Sequence, residues 1–133
     1  MIIEGIGELK HEQELVYGNY EVLAVYIDKE GNRYIAELNL DMQGYNSWQA
    51  LEYVISPINV MDLIDMLENR LSIEEAFRKN GAVYLVGFNE EYDLLSQKIS
   101  SDVVHPNMLP ESGIMFELSN DKIVRYIERL KNL

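Results

Sequence analysis

Cysteine is absent from this chain, which excludes disulfides and thiolate metal ligands. Histidine occurs only at His11 and His105, and neither lies in a ligand-spaced motif such as H-E-x-x-H. Both therefore read as ordinary surface residues, and no metal or cofactor is expected. No glycine-rich phosphate loop is present, and no nucleophile turn of the G-x-S-x-G type. Ser96, Ser100 and Ser101 have no histidine near them in sequence. No window approaches 18 uninterrupted apolar residues, so nothing in the sequence is expected to span a membrane. The start, Met1-Ile2-Ile3-Glu4-Gly5, lacks the basic and apolar regions of a signal peptide, and a cytoplasmic location is expected.

Basic residues are also scarce. Eleven Lys and Arg face 23 Asp and Glu, a net charge of −12 over 133 residues. Phosphate contact needs clustered cations, so direct nucleic-acid binding is the wrong first expectation. Acidity of this kind attracts basic proteins instead. The charge is uneven. Residues 1–118 hold 21 acidic and 7 basic residues, whereas residues 119–133 hold 2 acidic and 4 basic ones. A cationic tail thus follows an anionic body.

The patterning predicts one α+β domain over residues 1–133: an antiparallel meander of four or five strands, two consecutive helices on one face, and a C-terminal amphipathic helix. Residues 1–14 are poorly patterned. Leu15-Val16-Tyr17 reads as a short strand closed by Gly18-Asn19. From Tyr20 to Asp28 both alternating faces are apolar, as in a central strand. Asp28 to Asn32 reads as a hairpin loop, with Gly31 supplying positive φ. From Arg33 to Asp41, Tyr34, Ala36, Leu38 and Leu40 are expected to face inward, and Arg33, Glu37 and Asn39 outward. A third meander strand is expected from Trp48 to Ile55, after a loop.

Ser56-Pro57 then suits a helix start, with Ser56 as N-cap and Pro57 in the first turn. Ile58, Met61, Ile64 and Leu67 recur at helical spacing, which predicts a helix to about Asn69. Its outer side carries Asp62, Asp65 and Glu68. Ser72-Ile73-Glu74-Glu75 is a capping box for a shorter helix, with Ala76 and Phe77 inward and Asn80-Gly81 as its stop. A strand is expected over Ala82 to Phe88. Tyr92, Leu94, Leu95 and Ile99 suggest a short helix, followed by a long loop to Leu109-Pro110. Ile114 to Leu118 is expected as a last strand. Finally, Ile123, Tyr126, Ile127, Leu130 and Leu133 form one stripe of a terminal helix, flanked by Lys122, Arg125 and Arg129.

Several of these residues stand in a recognisable order: the strand pair, Trp48, Ile55-Ser56, Leu67, Leu71-Ser72-Ile73, Ala76-Phe77, Tyr84 and Leu109-Pro110. In that order the chain resembles an uncharacterised family of small proteins from bacterial genomes and mobile elements. The likeness spans roughly Leu15 to Leu118 and leaves out the terminal helix. It implies the same α+β fold and carries no established activity.

Asp28, Glu30 and Asn32 place oxygens at alternate positions, but the twelve-residue calcium pattern with its closing Glu is missing. A polar hairpin turn is the expected reading. Two carboxylate groups stand out, Asp62-Asp65-Glu68 and Glu90-Glu91-Asp93, and they suggest an acidic surface for a basic protein partner. Tyr45 and Trp48 are candidate interface aromatics. The stripe Ile123, Tyr126, Ile127 and Leu130 either docks on the acidic body, the favoured expectation, or pairs with another copy of the chain in a homo-oligomer or with a partner protein. The functional expectation is a non-enzymatic acidic inhibitor of a basic partner. An immunity protein neutralising a nuclease toxin, or a phage protein blocking a defence enzyme, would have this character. The alternatives are a small homo-oligomer that sequesters a small ligand, and a small carboxylate-based enzyme.

Overall fold

A computed structural model describes residues 2–3, 6–17, 21–38, 50–79, 84–89, 94–99, 113–118 and 120–133. Eight strands and three helices occur among them, in the order β1 (Ile2–Ile3), β2 (Gly7–Glu8), β3 (Lys10–Tyr17), β4 (Glu21–Ile27), β5 (Arg33–Leu38), β6 (Ala50–Ile58), α1 (Val60–Leu67), α2 (Ile73–Arg78), β7 (Tyr84–Asn89), β8 (Leu94–Ile99) and α3 (Asp121–Lys131). β1 and β2 form a small antiparallel pair. The remaining strands form one antiparallel meander, β3-β4-β5-β6-β7-β8, so β3 and β8 are its edges. The expected α+β class, meander and terminal helix are all present, and the sheet has six strands.

The additional strands have local causes. β3 begins at Lys10 rather than Leu15, because its pairing with β4 is irregular and hides the alternation. Register shifts flank Glu12 and Leu15, which turns both side chains towards the helices. β8 replaces the short helix expected around Tyr92 to Ile99; it pairs with β7 from Tyr84↔Ile99 to Phe88↔Leu94. The expected last strand at Ile114 to Leu118 joins no sheet among the described residues; Ile114 O accepts from Ile73 N at 3.0 Å.

The helix start is also displaced. β6 continues through Ser56 and Pro57 to Ile58, and Asn59 is the N-cap of α1, its Oδ1 accepting from Asp62 N at 2.8 Å. Ser56 instead donates its buried hydroxyl to Phe77 O at 2.7 Å. Pro57 lies opposite Tyr34 of β5, and among the described residues the register with β7 runs to Ile55↔Tyr84. α1 stops at Leu67, two residues short of the expected end, where Asn69 takes φ +64° and Arg70 N donates to Asp65 O.

The main core lies between the sheet and all three helices. Leu23, Val25, Ile35 and Val54 meet Leu63, Met66 and Leu67 of α1, Phe77 of α2, and Ile123 and Tyr126 of α3. Ile35 is fully buried there, which reverses the expected facing of β5: Arg33, Ile35 and Glu37 are on the helix side. Tyr34 and Ala36 lie on the opposite face, where a smaller cluster joins Leu9, Tyr53 and Ile55. Both faces of the central strands are covered, as the two-sided apolar pattern of β4 requires. Met61, expected on the inner stripe of α1, is 71% exposed.

Candidate functional site

The acidic residues of α1 are placed first by helix geometry and then by their cations. Asp62 is buried, not on the outer side, and accepts from Lys79 Nζ at 2.8 Å. That contact holds the lysine pKa above its ordinary value. Asp65 and Glu68 lie one turn apart and share Arg70, at 2.8 and 3.1 Å. Glu68 also receives Lys131 Nζ of α3 at 3.1 Å. Hydrogen bonds from Lys131 and then Arg70 hold its carboxyl below the usual range. The three carboxylates expected to offer free negative charge are thus neutralised by their own chain. Glu90, Glu91, Asp93, Tyr45 and Trp48 lie outside the described residues, as does His105.

The terminal helix is docked. Ile123, Tyr126, Ile127 and Leu130 are 1–6% exposed in the main core, so the stripe is not an open oligomer face. Leu133, expected to extend it, is 77% exposed. Docking also completes a polar triad that sequence reasoning missed. The β3 bulge brings Glu12 beside Arg33 of β5, which donates two hydrogen bonds at 2.7 and 2.8 Å. Tyr126 then donates its hydroxyl to Glu12 Oε2 at 2.8 Å. Hydrogen bonding to Glu12 raises the Arg33 pKa. Burial, then the bond to Glu12, raises that of Tyr126. The bidentate pair and the phenol together fix Glu12 between β5 and α3. Only a bulge, invisible in the alternation, signals it.

Glu37 differs. Its carboxyl lies on the helix-facing side of β5, and Oε2 is buried with no hydrogen-bond partner among the described residues. Burial pushes its pKa from 4.5 up to about 7. It does not line the clefts at β3, at the β5–β6 end or between α1 and α3. At the hairpin, Asp28 accepts from Glu30 N and Asn32 N, and Gly31 takes φ +87°. This is the expected polar turn, and no group of three metal-ligating side chains is found among the described residues.

The largest of those clefts, about 730 Å³, runs between edge strand β3 and the segment before α3. His11 to Val16 form one wall, and Met115, Phe116 and Glu117 the other. Its uncommitted charge is mainly negative. Glu14 and Glu117 are exposed, while Lys122 is the single Lys or Arg among the lining residues. A smaller cleft of about 570 Å³ separates α1 from α3 near Met61 and Leu133. No described helix is long and apolar enough to cross a membrane. No family model, no curated protein and no solved structure matches this chain.

Proposed function

We propose that this protein is a non-enzymatic, acidic binding protein that engages a basic partner protein, as an inhibitor does. The observation that carries the reading is the use the fold makes of its few cations. Lys29, Arg33, Arg70, Arg78, Lys79 and Lys131 are held in ion pairs with carboxylates of the same chain. These are six of the eleven Lys and Arg residues, so the acidic excess is left to the rest of the surface. Glu14, Glu30, Glu117, Asp121 and Glu128 are exposed and lie in no ion pair seen among the described residues. A field of one sign steers an oppositely charged protein into contact and repels nucleic acid and anionic lipid. Outside α3, whose exposed side also carries Lys122, Arg125 and Arg129, the carboxylates that support this reading lie on β3, the β4–β5 hairpin and the segment before α3. Likeness to the small proteins of bacterial genomes and mobile elements is part of this proposal, since a toxin or a defence enzyme is a basic target of the right kind.

Affinity capture from native lysate at about 50 mM salt, eluted with about 500 mM salt, tests the reading. A basic protein released by salt is the expected result. Capture of no protein, or of one indifferent to salt, would overturn it.

A further inference from the structure

We propose that the cleft between α1 and α3 is a self-association site, where a second copy of this chain docks about a two-fold axis. Met61, Asp65 and Glu68 fall at i, i+4 and i+7, on one line along α1 and its C-cap. The outer line of a surface helix is ordinarily polar. Here its first member is a methionine, 71% exposed and more exposed than any other large apolar side chain of the three described helices. Leu133, just past the end of α3, is exposed as well and lines the same cleft. The hollow between the two helices measures about 570 Å³, and the buried Ile64 and Leu130 are in its lining.

Charge and shape select the occupant. The charged residues of the lining are Asp65, Glu68, Arg70 and Lys131, two of each sign, so the cleft is neutral on a chain of −12. Arg70 holds both carboxylates and Lys131 holds Glu68. A cationic segment gains little from carboxylates that already have cations. A neutral apolar surface, by contrast, docks here without burying an unpaired charge. The same cleft on a second copy is such a surface, and it offers both halves of a fit: a projecting thioether and a hollow. In a two-fold contact each Met61 enters the hollow of the other copy, and the flexible methionine chain adapts to its shape. Glu14, Glu30 and Glu117 do not line this cleft, so the dimer leaves them free and offers a basic partner two acidic surfaces at once. Nine described residues line the cleft, against about 20–30 a side in a standard interface. The dimer is accordingly weak, with a Kd between about 10 μM and 1 mM.

Sedimentation equilibrium of the full chain, from about 5 μM to about 1 mM, tests this. A monomer–dimer equilibrium is the expected result. It should be at least about threefold tighter at about 500 mM salt than at about 50 mM, because salt screens the repulsion between two anionic bodies. Capture of a basic partner has the opposite salt dependence, so the two interactions are told apart. Met61→Lys should weaken the dimer at least about tenfold, with a thermal melt unchanged at about 2 μM, and Met61→Leu should keep it. In the unaltered chain, the NMR signal of the Met61 methyl group should shift with protein concentration while that of Met115, in the β3 cleft, stays in place. A monomer at every concentration, a dimer that Met61→Lys leaves intact, or a dimer that salt weakens would each overturn the proposal. The acidic-binder reading would then still stand, since it uses other carboxylates. A chain that is monomeric alone but loses a captured protein on Met61→Lys would assign the cleft to that partner and overturn self-association.

Discussion

Two carboxylates near the same sheet face end in opposite states, and the difference is their company. Glu12 meets a guanidinium and a phenol, whereas Glu37 is desolvated by burial and its Oε2 has no hydrogen-bond partner among the described residues. Burial lifts the Glu37 pKa to about 7 in the folded chain, against 4.5 ordinarily. The folded state therefore holds this proton more tightly than the unfolded state. Its stabilising contribution is complete below about pH 4.5 and is lost as pH rises through about 7. Glu37→Gln copies the protonated form. We expect it to add about 1–3 kcal/mol near pH 8 and almost nothing near pH 4, by urea unfolding at both. An equal effect at both values would show that Glu37 is not titrating in this window. For Glu12, removing the cation matters more than removing the phenol. Arg33→Met should cost about 3 kcal/mol, by leaving a half-buried carboxylate without its charge partner. Tyr126→Phe should cost about 1.5 kcal/mol, since Glu12 keeps both arginine bonds. The reverse order in thermal or urea melts would sink this assignment.

At the scale of elements, the helix caps and the terminal stripe carry most of what can be tested. Ser72 accepts from Glu75 N at 3.2 Å and starts α2 as its capping box predicts. Ser72→Ala should cost about 1 kcal/mol. α3 matters far more. Full burial of Ile123, Tyr126, Ile127 and Leu130 contributes about 1.5–3 kcal/mol each, roughly 6–12 in all. That range matches the entire stability of a typical domain, about 5–15 kcal/mol. Deleting residues 119–133 should therefore unfold the chain, seen as loss of the cooperative melt by circular dichroism. A truncated chain that still melts cooperatively would show that the helix is an appendage. These elements were legible because capping residues and a helical stripe are local signals. β3 was half-legible, since its bulges break the alternation that marks a strand. Ser56-Pro57 misled for a physical reason: a proline suits a helix start, and it is equally tolerated in the last residues of some strands. β8 was missed because Leu94, Leu95 and Ile99 fit a helical spacing, and only pairing with β7 decides the matter.

Across the whole molecule, the sign of the charge was legible and its location was not. Sequence spacing placed Asp62, Asp65 and Glu68 together, and the fold does bring them together, but it also delivers Lys79, Arg70 and Lys131 from α2, the α1–α2 turn and α3. Lys79 and Lys131 come from 17 and 63 positions away, beyond any periodicity argument. What remains is a molecule with local ion pairs and a global surplus of negative charge, and salt acts on both. Most of these pairs have an exposed partner, so solvent and salt screen their attraction. The surplus, −12 on a 15.4 kDa chain, opposes compaction over the full surface. Raising salt from about 20 to about 500 mM shortens the screening length from roughly 20 Å to a few ångströms. Self-repulsion acts over longer distances than contact pairs, so screening removes more repulsion than attraction. We expect the Tm at pH 7.5 to rise by a few degrees, about 1 kcal/mol for a chain of this size. A Tm that falls with salt would mean that the ion pairs outweigh the surplus, and the electrostatic argument for a basic partner would lose its foundation.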